Sequence, residues 1–180
     1  MAVTIQDLKN AVRSVPDFPK KGIVFRDITT LIKEGRLFRA SVDALCDWCR
    51  DRRIDAVVCT ESRGFIFGAA IAYRLGAGVV PVRKKGKLPH ETYSAEYELE
   101  YGTDALEMHR DAFARGSRVL IVDDLLATGG TAAATARLVK NLDAKIEGIA
   151  FIIELSFLKG REKLKGYDVF SLIQYESENE

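Results

Sequence analysis

Cysteine is scarce in this sequence, which has three cysteines among 180 residues. Two of them, Cys46 and Cys49, have the C-x-x-C spacing of redox and zinc sites. No second pair is present to complete a tetrahedral zinc site. The pair also belongs to a set of apolar residues that recurs at three- and four-residue steps: Phe38, Val42, Leu45, Cys46 and Cys49. Because this spacing is typical of the buried side of an amphipathic helix, we expect both thiols to pack in a core.

A long apolar run is also missing. The first seven residues do not show the basic and then apolar blocks of a secretory signal, and no later run is long enough to span a bilayer. We therefore expect a cytoplasmic protein without a membrane partner.

An excess of charge of one sign is absent as well, since 27 lysines and arginines face 26 acidic residues, for a net charge of +1. A DNA-binding protein normally concentrates its basic residues on one helix or stripe. The basic run at residues 83–87 is short and is interrupted by Gly86, as in a solvated loop. The sequence therefore predicts no nucleic-acid partner.

What the sequence does contain is an alternation of strand and helix patterns. Four apolar runs are typical of interior parallel strands, at residues 55–60, 78–83, 118–123 and 148–155. Small-residue helical patterns lie between them, for example at residues 68–75 and 131–139. This order predicts a single α/β domain over residues 1–180, with a central parallel sheet flanked by helices. Because such sheets bind ligands beyond the carboxyl ends of their strands, the loops after Thr60, Arg83 and Asp123 should converge on one pocket.

Two segments break the alternation, at about residues 1–33 and 84–102. The second is rich in tyrosine and polar residues and has little continuous apolar sequence. Long loops without regular structure are usually functional lids or disordered linkers. We expect the first segment to form a hood over the pocket and the second a flexible lid. The acidic tail at residues 176–180 is expected to be frayed.

The most informative segment is residues 119–131, in which a strand pattern leads through Asp123 and Asp124 into a loop of small residues and then a helix pattern. Adjacent carboxylates at a strand end can accept hydrogen bonds from vicinal ribose hydroxyls or face a hydrated metal ion. The stretch from Ala127 to Thr131 can close backbone N–H groups around a phosphate at a helix N-terminus. An ordinary capped strand-to-helix turn is the structural alternative. The segment matches neither the P-loop nor the G-x-G-x-x-G fingerprint.

This segment resembles the phosphoribosyl pyrophosphate signature of the type I phosphoribosyltransferases, and its residue sequence is similar to that of their adenine-specific branch. The resemblance extends over almost the whole chain, with further matches at residues 18–27, 61–68, 82–89 and 99–102. It implies the type I phosphoribosyltransferase fold, with the hood binding the base and the lid closing over the reacting centre. The implied reaction moves the 5-phosphoribosyl group of phosphoribosyl pyrophosphate to N9 of adenine, giving AMP and pyrophosphate. It implies Mg²⁺, held mainly by the substrate, and a homodimer.

The resemblance also implies roles for individual residues. The set that binds ribose and its 5′-phosphate is Asp123, Asp124, Ala127, Thr128, Gly129, Gly130 and Thr131. The set that binds pyrophosphate is Ser62, Arg63, Arg83, Lys84 and Lys87. A cis peptide is expected at Glu61-Ser62. From the sequence alone, Arg63 could instead form an ordinary surface salt bridge.

For catalysis the resemblance implies Glu100 as an acid or base for the purine, together with Tyr101 and Arg63. The residues implied to bind adenine are Val24, Phe25, Arg26 and Leu155. Without the resemblance, Glu98 and Glu100 could be acids on a strand surface, and Val24 and Phe25 could be core residues only. Neither His90 nor His109 receives a catalytic role.

Two other functions fit parts of the same pattern. One is a phosphoribosyltransferase for a 6-oxopurine or pyrimidine, which needs a different base pocket. The other is a regulator that senses phosphoribosyl pyrophosphate without turning it over. Such regulators need an added DNA-binding domain, for which 180 residues leave no room.

Overall fold

In the computed structural model of the chain, residues 2–98, 103–178 and 180 are described. The strands within these residues are β1 (Arg13–Val15), β2 (Phe25–Asp27), β3 (Ala56–Thr60), β4 (Gly78–Lys84), β5 (Thr92–Glu98), β6 (Thr103–His109), β7 (Arg118–Leu126), β8 (Lys145–Leu155) and β9 (Val169–Tyr175). The α-helices are α1 (Ile5–Ala11), α2 (Thr29–Ile32), α3 (Gly35–Trp48), α4 (Gly64–Leu75) and α5 (Gly130–Lys140). Two 3₁₀ helices, Ser156–Leu158 and Gly160–Leu164, follow β8.

A seven-stranded sheet in the order β5-β6-β4-β3-β7-β8-β9 forms the centre of the fold. The five strands from β4 to β9 in this order pair in parallel. β6 joins β4 and β5 by antiparallel pairing, so the sheet is mixed at one edge. The predicted α/β class with a mostly parallel central sheet is confirmed.

Helices cover both faces of this sheet. On β3, Val57 belongs to a core that includes Leu45 of α3 and Phe67 of α4, whereas Val58 belongs to a second core with Leu138 of α5. Successive side chains of a strand point to opposite faces, so a strand covered on both sides must be apolar at every position. This is why β3 reads as one continuous apolar run and is buried throughout.

Cys46 and Cys49 lie in the first of these cores, as their helical spacing predicts. Cys46 is 7% exposed and Cys49 is fully buried, and all three cysteines are free. Burial raises the pKa of the Cys46 thiol to about 11. Within the described ranges, no group of three or more His, Cys, Asp or Glu residues could hold a metal ion. No helix in the same ranges has the length and apolarity needed to cross a membrane.

Residues 2–32 lie outside the central sheet. They contain α1, α2 and the two-stranded antiparallel sheet of β1 and β2. Leu8, Ile28 and Leu31 from this segment are buried in the core beneath α3. This packing fixes β2, and with it the backbone at residues 24–26, relative to the central sheet.

The structure differs from the sequence pattern in the segment at residues 84–102, to which we assigned no regular structure. Strand β5 occupies Thr92–Glu98. In this strand Tyr93, Ala95 and Tyr97 are covered, whereas Ser94 and Glu96 are exposed. The alternation is a genuine strand signal, but it is carried by tyrosine and a single alanine among polar residues. It therefore looks like a polar loop when apolar runs are the criterion. Strands β6 and β9 were likewise absent from the predicted set.

Candidate active site

A cavity of about 570 Å³ lies at the carboxyl ends of β3, β4 and β7. The three loops expected to converge do so. The residues that line the cavity are Thr60, Glu61, Ser62, Arg63, Lys84, Tyr97, Leu106, Asp123, Asp124, Leu125, Leu126, Ala127, Thr128, Gly129, Gly130, Thr131 and Ala132.

The loop between β7 and α5 forms one wall of the cavity. Gly129 has φ = 77°, in the left-handed region where glycine is favoured. A Cβ atom at this position would also lie 2.4 Å from the carbonyl oxygen of Gly160. Helix α5 begins at the next residue, so its first N–H groups have no partner within the helix. Since Ala127, Thr128 and Thr131 also line the cavity, this wall can receive an anion at a helix N-terminus.

Asp123 and Asp124, near the end of β7, form an adjacent wall. Their exposed fractions are 9% and 6%. The Oδ1 atom of Asp123 accepts a hydrogen bond from the backbone N–H of Asp124 at 2.9 Å. Burial, and next to it the charge of Asp124, raise the pKa of Asp123 well above its ordinary value of 3.8. Two carboxyls held together out of water favour a ligand that offers hydroxyl donors or positive charge.

Arg63 links this acid pair to the N-terminal segment. Its Nε donates to Oδ2 of Asp124 at 2.5 Å, and its guanidinium carbon lies 5.0 Å from the centroid of the Phe25 ring. Because the Asp124 side chain is only 8% exposed, this is not an ordinary surface salt bridge. The peptide bond between Glu61 and Ser62, just before Arg63, is cis, as the family resemblance implied.

Lys84 brings a second positive charge to the cavity, from the end of β4. Its Nζ lies 3.2 Å from Oδ2 of Asp104. The hydrogen bond to Asp104 raises the pKa of Lys84 above its ordinary value. The cavity lining, as far as the described residues define it, does not include Arg83 or Lys87.

The residues implied to bind adenine are not among the described residues that line the cavity. The Phe25 ring contacts the guanidinium of Arg63, which does line the cavity. The N–H of Val24 donates to a carboxylate oxygen of Glu178 at 3.2 Å. The fourth residue, Leu155, is half-buried at the end of β8.

The side chain of Arg26, by contrast, turns away from the cavity and is buried. Its guanidinium donates to the carbonyl oxygens of Glu178 and Glu180 at 2.8 and 2.7 Å and lies 4.0 Å over the Tyr175 ring. The tail, whose composition suggested fraying, therefore contacts the N-terminal segment here.

Two further predicted residues, Glu100 and Tyr101, lie outside the described residues. Glu61 and Tyr97 line the cavity and were not predicted to belong to the site. Tyr97 contacts Asp104 and Thr131, and burial raises its pKa. Its alternation with Ala95 would have placed it on the covered face of a strand, whereas no sequence signal identified Glu61.

The sequence model of the phosphoribosyl transferase domain family matches residues 29–179 of this chain. The sequence is 58% identical over 169 residues to the adenine phosphoribosyltransferase of Thermotoga neapolitana, covering 94% of this chain and 99% of that protein. The crystal structure of the adenine phosphoribosyltransferase from Thermoanaerobacter pseudethanolicus superimposes with a TM-score of 0.93 at 55% identity, covering 96% of this chain and 100% of that one.

The Saccharomyces cerevisiae enzyme, complexed with D-2,5-dideoxy-2,5-imino-altritol 1,6-bisphosphate and adenine, superimposes with a TM-score of 0.89 at 46% identity. That match covers 93% of this chain and 97% of the yeast chain. Since the similarity spans nearly the full length on both sides, the chain belongs to the phosphoribosyl transferase family, and within it to the adenine phosphoribosyltransferases.

Proposed function

We propose that this chain transfers the 5-phosphoribosyl group of phosphoribosyl pyrophosphate to N9 of adenine, giving AMP and pyrophosphate, in purine salvage. The observation that carries the proposal is that one cavity contains the loop at the start of α5, the acid pair and Arg63. A sugar that bears a phosphate at one end and a pyrophosphate at the other needs these three features together.

In this proposal the ribose phosphate lies along β7. Asp123 and Asp124 accept hydrogen bonds from the two ribose hydroxyls. The 5′-phosphate binds the loop residues Ala127, Thr128, Gly129, Gly130 and Thr131, where the unpaired N–H groups of α5 begin. Since hydroxyl donors relieve the repulsion between the two buried carboxyls, ribose binding is favoured beyond the hydrogen bonds themselves.

Pyrophosphate lies at the other end of the cavity, against Ser62, Arg63 and Lys84. A guanidinium gives paired, charge-assisted hydrogen bonds to phosphate oxygens. Arg63 therefore exchanges its contact with Asp124 for the leaving group as the ribose hydroxyls engage the acids. Arg83 and Lys87, which flank Lys84 in the sequence, are assigned to the same end of the site.

Adenine lies under the N-terminal segment, between Phe25 and Leu155. Its ring nitrogen and amino group need a donor and an acceptor side by side, which the extended backbone from Val24 to Arg26 supplies. Adenine then takes the place of the Glu178 carboxylate at the N–H of Val24. Burial of the Arg26 side chain keeps this backbone in position.

The chemical step is a displacement at the anomeric carbon, in which positioning and stabilisation of charge supply most of the rate. Arg63 stabilises the departing pyrophosphate. We assign proton exchange with the purine to Glu100, beside Tyr101. The lid at residues 84–102 shields the anomeric carbon, so that water does not compete with adenine as the nucleophile.

Mg²⁺ fits this site, because the two acids Asp123 and Asp124 line the cavity and Mg²⁺ prefers oxygen ligands. We propose that substrate oxygens hold the ion in the main, with the acid pair as its nearest protein neighbours. When bound, it would neutralise charge on the pyrophosphate.

We also propose that two copies form a homodimer. Helix α4 exposes Ile66 and Tyr73, which are 41% and 90% exposed, on its outer side, and this apolar surface is the one we would test. Light scattering after size-exclusion chromatography should give twice the 20.0 kDa chain mass, and Tyr73→Lys should lower it. A cytoplasmic location is proposed from the sequence composition, and cell fractionation tests it.

The test of the reaction is an assay of the purified protein with phosphoribosyl pyrophosphate, Mg²⁺ and one base at a time. AMP from adenine, with little nucleotide from hypoxanthine, guanine or uracil, is the expected result. Nucleotide from a 6-oxopurine or from uracil instead would assign the base pocket to another branch. Binding of phosphoribosyl pyrophosphate without any nucleotide would make the chain a sensor.

A further inference from the structure

An acid lies where an anion is expected to bind. Glu61 lines the cavity beside Ser62 and Arg63, at the end that we assign to pyrophosphate. A carboxylate at this place repels a phosphate group, so its presence calls for a reason.

The contacts of Glu61 supply one. Its two carboxylate oxygens accept from Nε and Nη2 of Arg83, each at 3.2 Å, in the fork geometry typical of an arginine and a carboxylate. Arg83 then uses its remaining nitrogen, Nη1, to donate to the carbonyl oxygen of Lys87 at 3.1 Å. The pair is covered, with side-chain exposures of 19% for Glu61 and 32% for Arg83. The hydrogen bond from Arg83 holds the pKa of Glu61 below its usual range.

Glu61 also holds the backbone on both sides of this pair. Its own N–H donates to the carbonyl oxygen of Val82 at 2.8 Å, and its carboxylate accepts from the N–H of Lys84 at 3.2 Å. The end of β4, which delivers Lys84 to the cavity, is thereby tied to the loop that delivers Arg63.

The turn after β4 is held from its other side by a second acid. Glu107 of β6 is 8% exposed, and it accepts from the N–H of Gly86 at 2.9 Å. Gly86 has a φ of 78°, so this turn needs glycine. The basic run that looks like a solvated loop in the sequence is therefore a tight turn held between two carboxylates.

We infer that Glu61 is a positioning residue for the pyrophosphate end of the site, which acts by fixing Arg83 and, through it, the turn that carries Lys84. This inference rests on the proposed function. Arg83 neutralises the charge of Glu61. What the site gains from Glu61 is therefore the placement of the cavity-lining cations Lys84 and Arg63 rather than a local negative charge.

The test is Glu61→Gln, which keeps the size of the side chain and an acceptor for the N–H of Lys84 but loses the charged fork with Arg83. A positioning role and a purely electrostatic role for Glu61 predict opposite changes in the affinity for pyrophosphate. If Glu61 positions the turn, the dissociation constant of inorganic pyrophosphate, measured by calorimetry, and the KM for phosphoribosyl pyrophosphate both rise by about five- to twentyfold. The KM for adenine stays within about twofold. If Glu61 is only a negative charge beside the site, its removal tightens pyrophosphate binding, and that result overturns the inference.

A double-mutant cycle with Arg83→Gln separates action through Arg83 from any other route. If Glu61 acts through Arg83, the double variant binds pyrophosphate no more weakly than Arg83→Gln alone. Losses that multiply overturn the inference. Asp47→Asn is the control, since Asp47 is 62% exposed, pairs with Arg50 at the end of α3, and does not line the cavity. Wild type and this control should form AMP in every case, so failure of the inference is distinguishable from failure of the proposed function.

Discussion

The acid pair on β7 leads to a prediction in which stability and activity move in opposite directions. The change is Asp123→Asn, which preserves shape in a place where space is short. A Cβ atom added at Gly64 would lie 2.8 Å from Oδ1 of Asp123, so a larger residue at 123 would not fit. The amide oxygen can still accept from the N–H of Asp124, as the carboxylate does at 2.9 Å.

We expect the folded state to gain stability from this change. Asp123 is buried beside a second acid, and both conditions raise its pKa above the ordinary 3.8. Between pH 4 and the folded pKa, the unfolded chain is ionised here while the folded chain still binds the proton. Its contribution to the free energy of unfolding therefore falls as pH rises and levels off above the folded pKa. Removing this penalty should add about 1 kcal/mol near neutral pH, a rise in Tm of about 2–4 °C.

Activity should fall in the same variant. A charged acceptor contributes about 1.5–3 kcal/mol to a hydrogen bond with a ribose hydroxyl, so kcat/KM should drop by about 10- to 150-fold. Thermal unfolding from pH 4 to pH 8 and the AMP assay test both parts, with Asp124→Asn as the control. Because Asp124 is paired with Arg63 at 2.5 Å, the control should lose stability. A fall in Tm for Asp123→Asn, or a gain that shrinks as pH rises, would refute the account of the acid pair.

Three further predictions concern other parts of the chain. Gly129→Ala should lose at least about 1 kcal/mol of stability from its left-handed φ of 77°, and should raise the KM for phosphoribosyl pyrophosphate because the new Cβ meets Gly160; unchanged urea unfolding and KM would contradict it. Glu154→Gln, which breaks the bidentate pair with Arg161, should lower Tm by about 4–8 °C, whereas an unchanged Tm would mean that the pair is only a surface contact. Cys46, with its pKa raised to about 11, should resist a thiol reagent at pH 8 until urea is added, and rapid labelling of the native protein would disprove its burial.

The parts of the fold that could be predicted are those in which one physical cause dominates the sequence. Strands β3, β7 and β8 are covered on both faces, so their apolar runs had only one good explanation. Strand β5 lies at the sheet edge, and its Ser94 and Glu96 are exposed. Its pattern is weaker because these polar residues alternate with tyrosine and alanine. In the neighbouring strand β6, the buried acid Glu107 interrupts the apolar pattern between Leu106 and Met108. Strand β7 was predicted to end at Asp123 although it continues to Leu126, because the acid pair Asp123-Asp124 interrupts its apolar run before the last two leucines.

The site was predicted to different depths for the same kind of reason. The loop from Ala127 to Thr131 is contiguous, so its chemistry can be seen in the sequence, and the structure places all of it at the cavity. The contact between Arg63 and Asp124 joins residues 61 positions apart. Only the parallel pairing of β3 with β7 brings them together. Glu61 is harder still. The parallel pairing of β3 with β4 aligns Thr60 with Val82 and so brings Glu61 next to Arg83, but the sequence predicts only that the two strand ends converge and does not specify this ion pair.

Arg63 connects these observations, because it has more partners than it can satisfy at once. It pairs with Asp124 and lies over Phe25, the residue proposed to stack on adenine. Pyrophosphate can use its guanidinium only if Asp124 finds other donors, which the ribose hydroxyls supply. A molecule that carries both groups can therefore release Arg63 from Asp124 and supply ribose hydroxyls to Asp124 in the same binding event. Pyrophosphate alone must instead compete with the buried Asp124 carboxylate for Arg63. In the Arg63→Lys variant, we expect ribose 5-phosphate to increase the affinity for pyrophosphate only slightly, and the reverse. In wild type each should increase the affinity for the other, and independent binding in wild type, measured by calorimetry, would show that Arg63 does not couple the two ends of the site.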